Sequence, residues 1–125
     1  MKIQASAENY LEAIFVLQNR NGHVRSIDVA TELGYSKPSV SRGMKLLRQN
    51  KHIEMEEDGL IRLTESGLQI AAEIHERHTL LTAFLTGLGV AEEIAKDDAC
   101  RIEHVISQET FDRLKVFVNA GKLDD

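Results

Sequence analysis

The chain of 125 residues has one cysteine (Cys100), one proline (Pro38) and no tryptophan. A lone cysteine excludes an intrachain disulfide, so nothing in the composition calls for an oxidising compartment. No apolar run is long enough to cross a bilayer. The opening residues Met1-Lys2-Ile3-Gln4-Ala5-Ser6-Ala7-Glu8 lack the apolar stretch of a secretory leader. The expected location is therefore the cytoplasm, with no membrane as partner. Internal repeats and low-complexity segments are missing too. So are a phosphate loop and a His-Glu-x-x-His helix, which leaves a metal-dependent hydrolase without its usual machinery. Apolar residues still make up 42% of the chain, enough for a real core.

Charge is scarce in net terms, at −5, but unevenly placed. Residues 1–64 hold 9 Lys/Arg and 8 Asp/Glu, whereas residues 65–125 hold 6 and 12. Within residues 20–51 there are 7 basic and 2 acidic side chains. A basic segment on an acidic chain is the electrostatic footprint expected of a nucleic-acid binder. It also fits an ordinary solvated surface.

Periodicity predicts helices with one hairpin. Tyr10, Leu11, Ile14, Phe15 and Leu17 form a helical stripe over Glu8–Gln18, broken at Asn21-Gly22. Ser26 is the expected N-cap of a short helix ended by Gly34. Ser36 caps the next, with Pro38 in its first turn, where a missing N–H costs little. Val40, Met44 and Leu47 are its expected inward face. Alternation over His52–Glu56 and Leu60–Thr64 around Asp58-Gly59 predicts a hairpin. Three more helices are expected. One runs from Glu65 to about Leu85 behind a Thr64 cap, with Leu68, Ala71, Ala72, Ile74, His78, Leu81 and Leu85 inward. One starts near Ala91, with Ile94, Ala95, Ala99, Ile102 and Val105 inward. The last is capped by Ser107 and carries Phe111, Leu114, Phe117 and Val118 to a stop near Gly121.

The fold class is thus mainly α: a winged helix-turn-helix over 1–64, then a helical domain over 65–125. In that layout the helix entered through Lys37-Pro38-Ser39 is the recognition helix, set into the major groove of double-stranded DNA. Arg25, Ser26, Ser36, Lys37, Pro38, Ser39, Ser41, Arg42, Lys45 and Lys51 are the candidate DNA contacts. The acidic wing tip (Glu54, Glu56, Glu57, Asp58) is expected to contribute little, and a helical domain without DNA contacts fits the same pattern. The apolar stripes exceed what one small domain buries, so a homodimer on a palindromic operator is expected.

Cys100, Glu103 and His104 stand at i, i+3 and i+4. On a helix they fall within about 100° of one another. Thiolate, carboxylate and imidazole together suit a divalent transition metal better than calcium or magnesium. The spacing also fits an exposed Glu–His pair beside a structural cysteine. His23, His52 and His75 join no ligand cluster and are expected at the surface.

Four segments carry a family resemblance: Ala7-Glu8-Asn9-Tyr10-Leu11-Glu12, Lys37-Pro38-Ser39-Val40-Ser41, Arg77-His78-Thr79-Leu80-Leu81 and Ala99-Cys100-Arg101-Ile102-Glu103-His104-Val105-Ile106-Ser107. Together they resemble the diphtheria-toxin-repressor family of metal-dependent transcriptional repressors, which includes iron-dependent repressors and the manganese transport regulator. The resemblance covers nearly the whole chain, in a short form without the SH3-like domain. It implies a transcriptional regulator, not an enzyme, that controls metal-homeostasis genes when a divalent ion is bound. Fe2+ or Mn2+ is implied in the cell, with Co2+, Zn2+ or Ni2+ as substitutes in vitro.

The implied ligands are Asn9, Glu12, His78, Cys100, Glu103 and His104. Cys100 matches the iron type, where the manganese type has Glu. Glu12 matches the manganese type, Asn9 matches neither, and His78 is common to both. Thr82 and Lys96 stand where the iron type's second site has an acid and a histidine, so that site is not expected in full. One ion, or two bridged by Glu103, remains open. The rival reading is a winged-helix regulator sensing an oxidant at Cys100 or a small molecule. The neighbouring Glu103 carboxylate counts against a reactive thiolate.

Overall fold

The computed structural model describes residues 5–121. The expectation about a leader at residues 1–4 and the outer limits of both expected domains lie outside the described residues. The order is α1 (Ala5–Asn21), α2 (Ser26–Leu33), α3 (Lys37–Gln49), β1 (Ile53–Met55), β2 (Ile61–Leu63), α4 (Glu65–Gly87), α5 (Glu92–Ile102) and α6 (Gln108–Asn119). The chain divides into two compact units, Met1–Glu73 and Ile74–Asp125, with the boundary inside α4.

In the first unit α1, α2 and α3 pack together with the two-stranded sheet. Leu11, Ile14, Val24, Val29, Val40, Met44, Leu47, Ile53 and Ile61 fill the core. The inward face expected for α3 is the observed one. α1 runs beyond its expected limits at both ends, and Gly22 at φ 82 ends it. α3 starts as expected, with the Ser36 side chain accepting from Ser39 N at 3.3 Å. The start of α2 differs by one residue. Ser26 is its first helical residue and Arg25 the cap, because Asp28 reaches back and accepts from Arg25 N at 2.9 Å. An acid at N3 therefore takes the capping role expected of the serine.

The hairpin is antiparallel, with Ile53 opposite Leu63 and Met55 opposite Ile61. Its strands are shorter than expected at both ends. Ile61 N also donates to Val24 O at 2.8 Å, which ties the sheet to the chain entering α2. Glu54 and Glu56 both face Arg62, at 4.0 and 3.3 Å. Part of the wing's acidity is thus balanced locally.

Two close approaches set α3. Tyr10 is buried, stands edge-on to Tyr35 at 5.9 Å, and donates its hydroxyl to Ser39 O at 3.3 Å. Burial pushes the Tyr10 phenol above its usual range, Tyr35 adds to this and Arg42 opposes it. The hydroxyl therefore stays a donor at neutral pH. Gly43 lies against the same ring, where a Cβ would collide with it.

After α3 the chain turns at Lys51, the only non-glycine among the described residues with positive φ, at 63°. Thr64 Oγ1 donates to Lys51 O at 2.8 Å and Thr64 N donates to His52 O at 3.1 Å. The Thr64 side chain also accepts from Gly67 N at 3.2 Å, the cap expected for α4. His52, expected as a surface residue, is half-buried with Nδ1 3.0 Å from Ser66 Oγ. The inward row of α4 is Gly67, Ala71, Ile74 and Leu81, with His78 half-buried in register. Leu68 and Ala72, expected inward, are exposed, because close backbone contact at Gly67 turns the helix about one residue from the hydropathy stripe.

The second unit has a smaller core of Ile74, Leu80, Leu81, Ala95, Ala99 and Phe111. Ser107 caps α6 by accepting from Thr110 N at 3.1 Å. The stripes of α5 and α6 are only partly covered. Leu88, Ile94, Val105, Val116 and Phe117 are exposed, contrary to the inward placement expected for Ile94, Val105 and Phe117. No helix among the described residues is long and apolar enough to cross a membrane.

Gly67 supplies a stability test. A Cβ there would run into the His52 carbonyl oxygen, a backbone atom with no room to retreat. Gly67→Ala should cost about 2 kcal/mol or more by overpacking. Equilibrium denaturation reads it, and an unchanged midpoint would remove this approach as a constraint.

Candidate metal centre

The centre in the second unit is built at the end of α5. The helix stops at Ile102, and Glu103 is its C-cap at φ −57, ψ −24, its N–H donating to Ala99 O at 2.9 Å. His104 lies in the turn beyond. Cys100, Glu103 and His104 therefore do not share one continuous helix, contrary to the expectation from their spacing. Cys100 is helical and the other two belong to the turn. The physical reason lies on α4. Arg77 Nη1 donates to Glu103 O at 3.1 Å and to Ile106 O at 3.0 Å, so carbonyls that a longer helix would pair internally are satisfied from outside.

Glu103 has no solvent exposure, the only buried charged residue among those described. Its Oε2 lies 2.9 Å from His78 Nδ1 and its Oε1 lies 3.4 Å from His104 Nε2. The His78 contact has hydrogen-bond geometry. Oε1 has no hydrogen-bond partner, although it is buried. A carboxylate oxygen removed from water and left without a donor is costly, and such groups are normally paired or bound to a cation. The His104 side chain is nearly as enclosed, at 6% exposure, and that of His78 is at 27%. Cys100 is exposed on α5.

The structure brings Glu103, His78 and His104 together in this unit. Asn9 and Glu12 are half-buried on α1, one turn apart, in the first unit. Thr82 donates its hydroxyl to His78 O at 2.8 Å, and Lys96 pairs with Glu92 at 3.2 Å. His23 is exposed and His75 half-buried.

The candidate DNA contacts lie on α3, at the start of α2 and just after α3, all in the first unit. Lys37, Pro38, Ser41, Arg42 and Lys45 are exposed on α3, and Lys51 is exposed just after it. Ser39 is half-buried and accepts from Arg42 Nη2 at 3.4 Å, while Ser36 donates to Ser39 Oγ at 2.9 Å. The half-buried Ser26 opens α2. Arg25 is exposed and donates from Nε to Asp58 O at 3.3 Å, so it also props the wing turn. Arg48, exposed one turn after Lys45, belongs to the same basic face. Its i+3 spacing from Lys45 was the available signal.

The orphaned oxygen generates a prediction that needs no ligand. Glu103→Gln removes the buried charge and keeps an acceptor for His78. The metal-free chain should gain about 1 kcal/mol in equilibrium unfolding. A loss of similar size would mean that the carboxylate stabilises the fold where it stands.

Comparison with known proteins identifies both halves of the chain. Residues 2–64 match the family profile described as iron dependent repressor, N-terminal DNA binding domain, and residues 64–124 match iron dependent repressor, metal binding and dimerisation domain. The chain is 39% identical over 110 residues to the transcriptional regulator MntR of Escherichia coli O6:H1, covering 88% of this chain and 71% of that protein. Among solved structures it is similar to the manganese regulator SloR, with TM-score 0.82 and 26% identity over 90% of this chain and 53% of that one. A manganese-dependent transcriptional repressor solved in complex with manganese gives TM-score 0.83 and 27% identity over 90% of this chain and 52% of that one. The chain spans about half the length of these two solved proteins. With both halves matched in sequence and fold, the chain belongs to the iron dependent repressor family, the diphtheria-toxin-repressor family whose motifs it carries.

Proposed function

We propose that this chain is a cytoplasmic, metal-dependent transcriptional repressor of metal-homeostasis genes, binding a palindromic operator as a homodimer. The observation that carries the reading is the buried Glu103 carboxylate, with an imidazole at each oxygen and one oxygen lacking a donor. Donors about 2.1 Å from one ion lie about 3.0–3.4 Å from each other, as Glu103 Oε1 and His104 Nε2 do at 3.4 Å, whereas the 2.9 Å between Glu103 Oε2 and His78 Nδ1 is a hydrogen-bond distance that an ion would have to open. Glu103, His78 and His104 would hold the ion, with Cys100 as a fourth donor. Family resemblance adds Asn9 and Glu12 from α1. One ion serves all of them, or Glu103 bridges two. A bound divalent ion supplies positive charge against this set of carboxylates and thiolate.

The proposed functional domains are 1–64 and 65–125. Ligands drawn from both make ion binding and DNA binding linked equilibria, so DNA raises metal affinity by the factor that metal raises DNA affinity. Lys37, Ser39, Arg42 and Lys45 on α3 approach bases and phosphates, with Arg25, Ser26, Ser36, Pro38, Ser41 and Lys51 around them. The second copy covers apolar surface of the second unit. A groove of about 430 Å³ lined by Phe84, Leu114 and Phe117 together with Glu109, Thr110 and Arg113, with Val116 exposed nearby in sequence, supports that assignment. Solved relatives named as a manganese regulator and a manganese-dependent repressor favour Mn2+, and the thiolate of Cys100 favours Fe2+, Co2+ or Zn2+.

The test is duplex DNA, selected on the parent chain from a random pool, titrated with Mn2+, Fe2+, Co2+ and Zn2+ at equal free metal. Binding should require metal, and persistence after chelation would favour the oxidant or small-molecule sensor instead. Neutralising Lys37, Arg42 and Lys45 together should weaken binding and lower the slope of log K against log salt by about 2–3. Parental binding by that variant would reassign the recognition helix.

Metal choice has its own test. Cys100→Glu replaces the only soft donor with a hard one and should shift the activation ratio towards Mn2+ over Co2+. A parent that already responds best to Mn2+, with no change in the variant, would show that Cys100 does not set selectivity.

A further inference from the structure

Arg77 precedes His78 on α4 and is half-buried. Its Nη1 forks between Glu103 O and Ile106 O, and its Nη2 donates to Gln108 Oε1 at 3.0 Å. The guanidinium lies over the Phe111 ring, 5.3 Å from its centroid. One side chain thus touches the cap of α5, the far end of the following turn, the first residue of α6 and its buried anchor. All four partners are neutral. An arginine held this way is not a surface ion pair, since the contacts converge on a single turn.

The physical fit is specific. The turn after α5 presents carbonyls without helical donors, at the negative end of the helix dipole. A planar guanidinium offers several donors in a fixed fork, whereas an ammonium offers one nitrogen. Both carbonyls share Nη1, and a lysine nitrogen would stand about one bond short of that position with no second nitrogen for Gln108, so lysine would loosen the carbonyl contacts and lose the third. Neighbouring residues of α4 therefore hold Glu103 from opposite ends. Arg77 takes its main-chain carbonyl and His78 takes its carboxylate. Glu103 Oε1 and the His104 ring are carried by that same turn.

We propose that Arg77 is a positioning residue for the metal centre, fixing the turn 103–106 so that Glu103 and His104 present their donors before an ion arrives. The proposal rests on the metal reading above and deepens it. Partners that orient ligands without touching the ion typically change metal affinity 10–100-fold when removed. The competing role is simple stapling of α4 to α6, and the two roles move different observables.

The experiment uses the full chain and three variants, Arg77→Lys, Arg77→Met and Gln108→Ala. Co2+ titration followed by its d–d absorption reads affinity and coordination, and amide exchange without metal reads the turn. Arg77→Met should bind Co2+ at least about tenfold more weakly with an altered spectrum. Arg77→Lys keeps the charge and should keep the thermal midpoint near the parent's, yet bind about tenfold more weakly, with faster exchange at 103–107 and unchanged protection in α4 and α6. Gln108→Ala removes the polar bond from Arg77 to α6, together with the Gln108–Asp112 bond inside α6, keeps the Phe111 contact, and should leave affinity and spectrum parental. If Arg77→Met fails to fold, Arg77→Lys carries the test. A parental affinity and spectrum in Arg77→Lys, or an equal loss in Gln108→Ala, overturns the proposal alone. A parent chain that binds no Co2+ overturns the metal reading and this inference with it.

Discussion

A carboxylate buried without a full set of donors is the constraint on which the second unit depends. Glu103 is fully buried in a unit whose other buried residues, among those described, are apolar, and it stays there only because its surroundings compensate it in part. His78 meets one oxygen, His104 approaches the other, and the backbone on either side is held by Arg77. Hydrophobic burial alone would expel such a group, since a charge removed from water costs far more than a buried methylene returns. Its retention is therefore the mark of a site rather than of a core. The incomplete satisfaction of Oε1 points the same way, because stability alone would favour an amide or an apolar side chain there.

The first unit is governed by backbone approach instead. Gly43 lets the Tyr10 ring lie flush with α3, and the Tyr10 hydroxyl then fixes the Ser39 carbonyl in the first turn. The far end of α3 passes through the left-handed Lys51 into a knot with Thr64, Ser66 and Gly67 at the start of α4. Both ends of the helix carrying Arg42 and Lys45 are thus set by contacts outside it. A surface of long basic side chains keeps its freedom while the helix beneath it is held in place. That division suits DNA binding, where backbone contacts position the protein and exposed side chains read the groove.

The architecture was largely legible in the sequence. Helix starts announced by a serine or threonine cap, as at Ser36, Thr64 and Ser107, were read correctly, because capping is local chemistry. The start of α2 was misplaced for an equally local reason, since Asp28 caps Arg25 N where a serine cap was expected, whereas the larger misplacements depend on contacts distant in sequence. The end of α5 is decided by Arg77, 26 residues upstream, so the Cys-Glu-His spacing looked like one helix. The inward row of α4 is led by Gly67, which a hydropathy stripe cannot rank because its importance is the absence of a side chain. Exposure of Ile94, Val105 and Phe117 escaped the stripe for a different reason. Periodicity identifies an apolar face but does not say whether the same chain covers it. Of the ligand set, Glu103 and His104 stood out by spacing, whereas His78, Asn9 and Glu12 emerged only through resemblance to a family.

The second unit's small core completes the argument. The six apolar residues buried among those described in this unit, two of them alanines, give little hydrophobic stabilisation to a segment of this length. Units of this size generally need an added staple such as a metal ion or a second copy. On the proposed reading both are available: an ion at Glu103 relieves its bare oxygen, and a partner covers the faces left exposed on α5 and α6. Ion binding then contributes RT ln(1 + [L]/Kd) directly to stability, about 2.7 kcal/mol at a hundredfold excess over Kd. Such a gain is large beside the margin of a small domain. A core kept this small makes the unit's order responsive to free metal, and a larger core would have blunted the response.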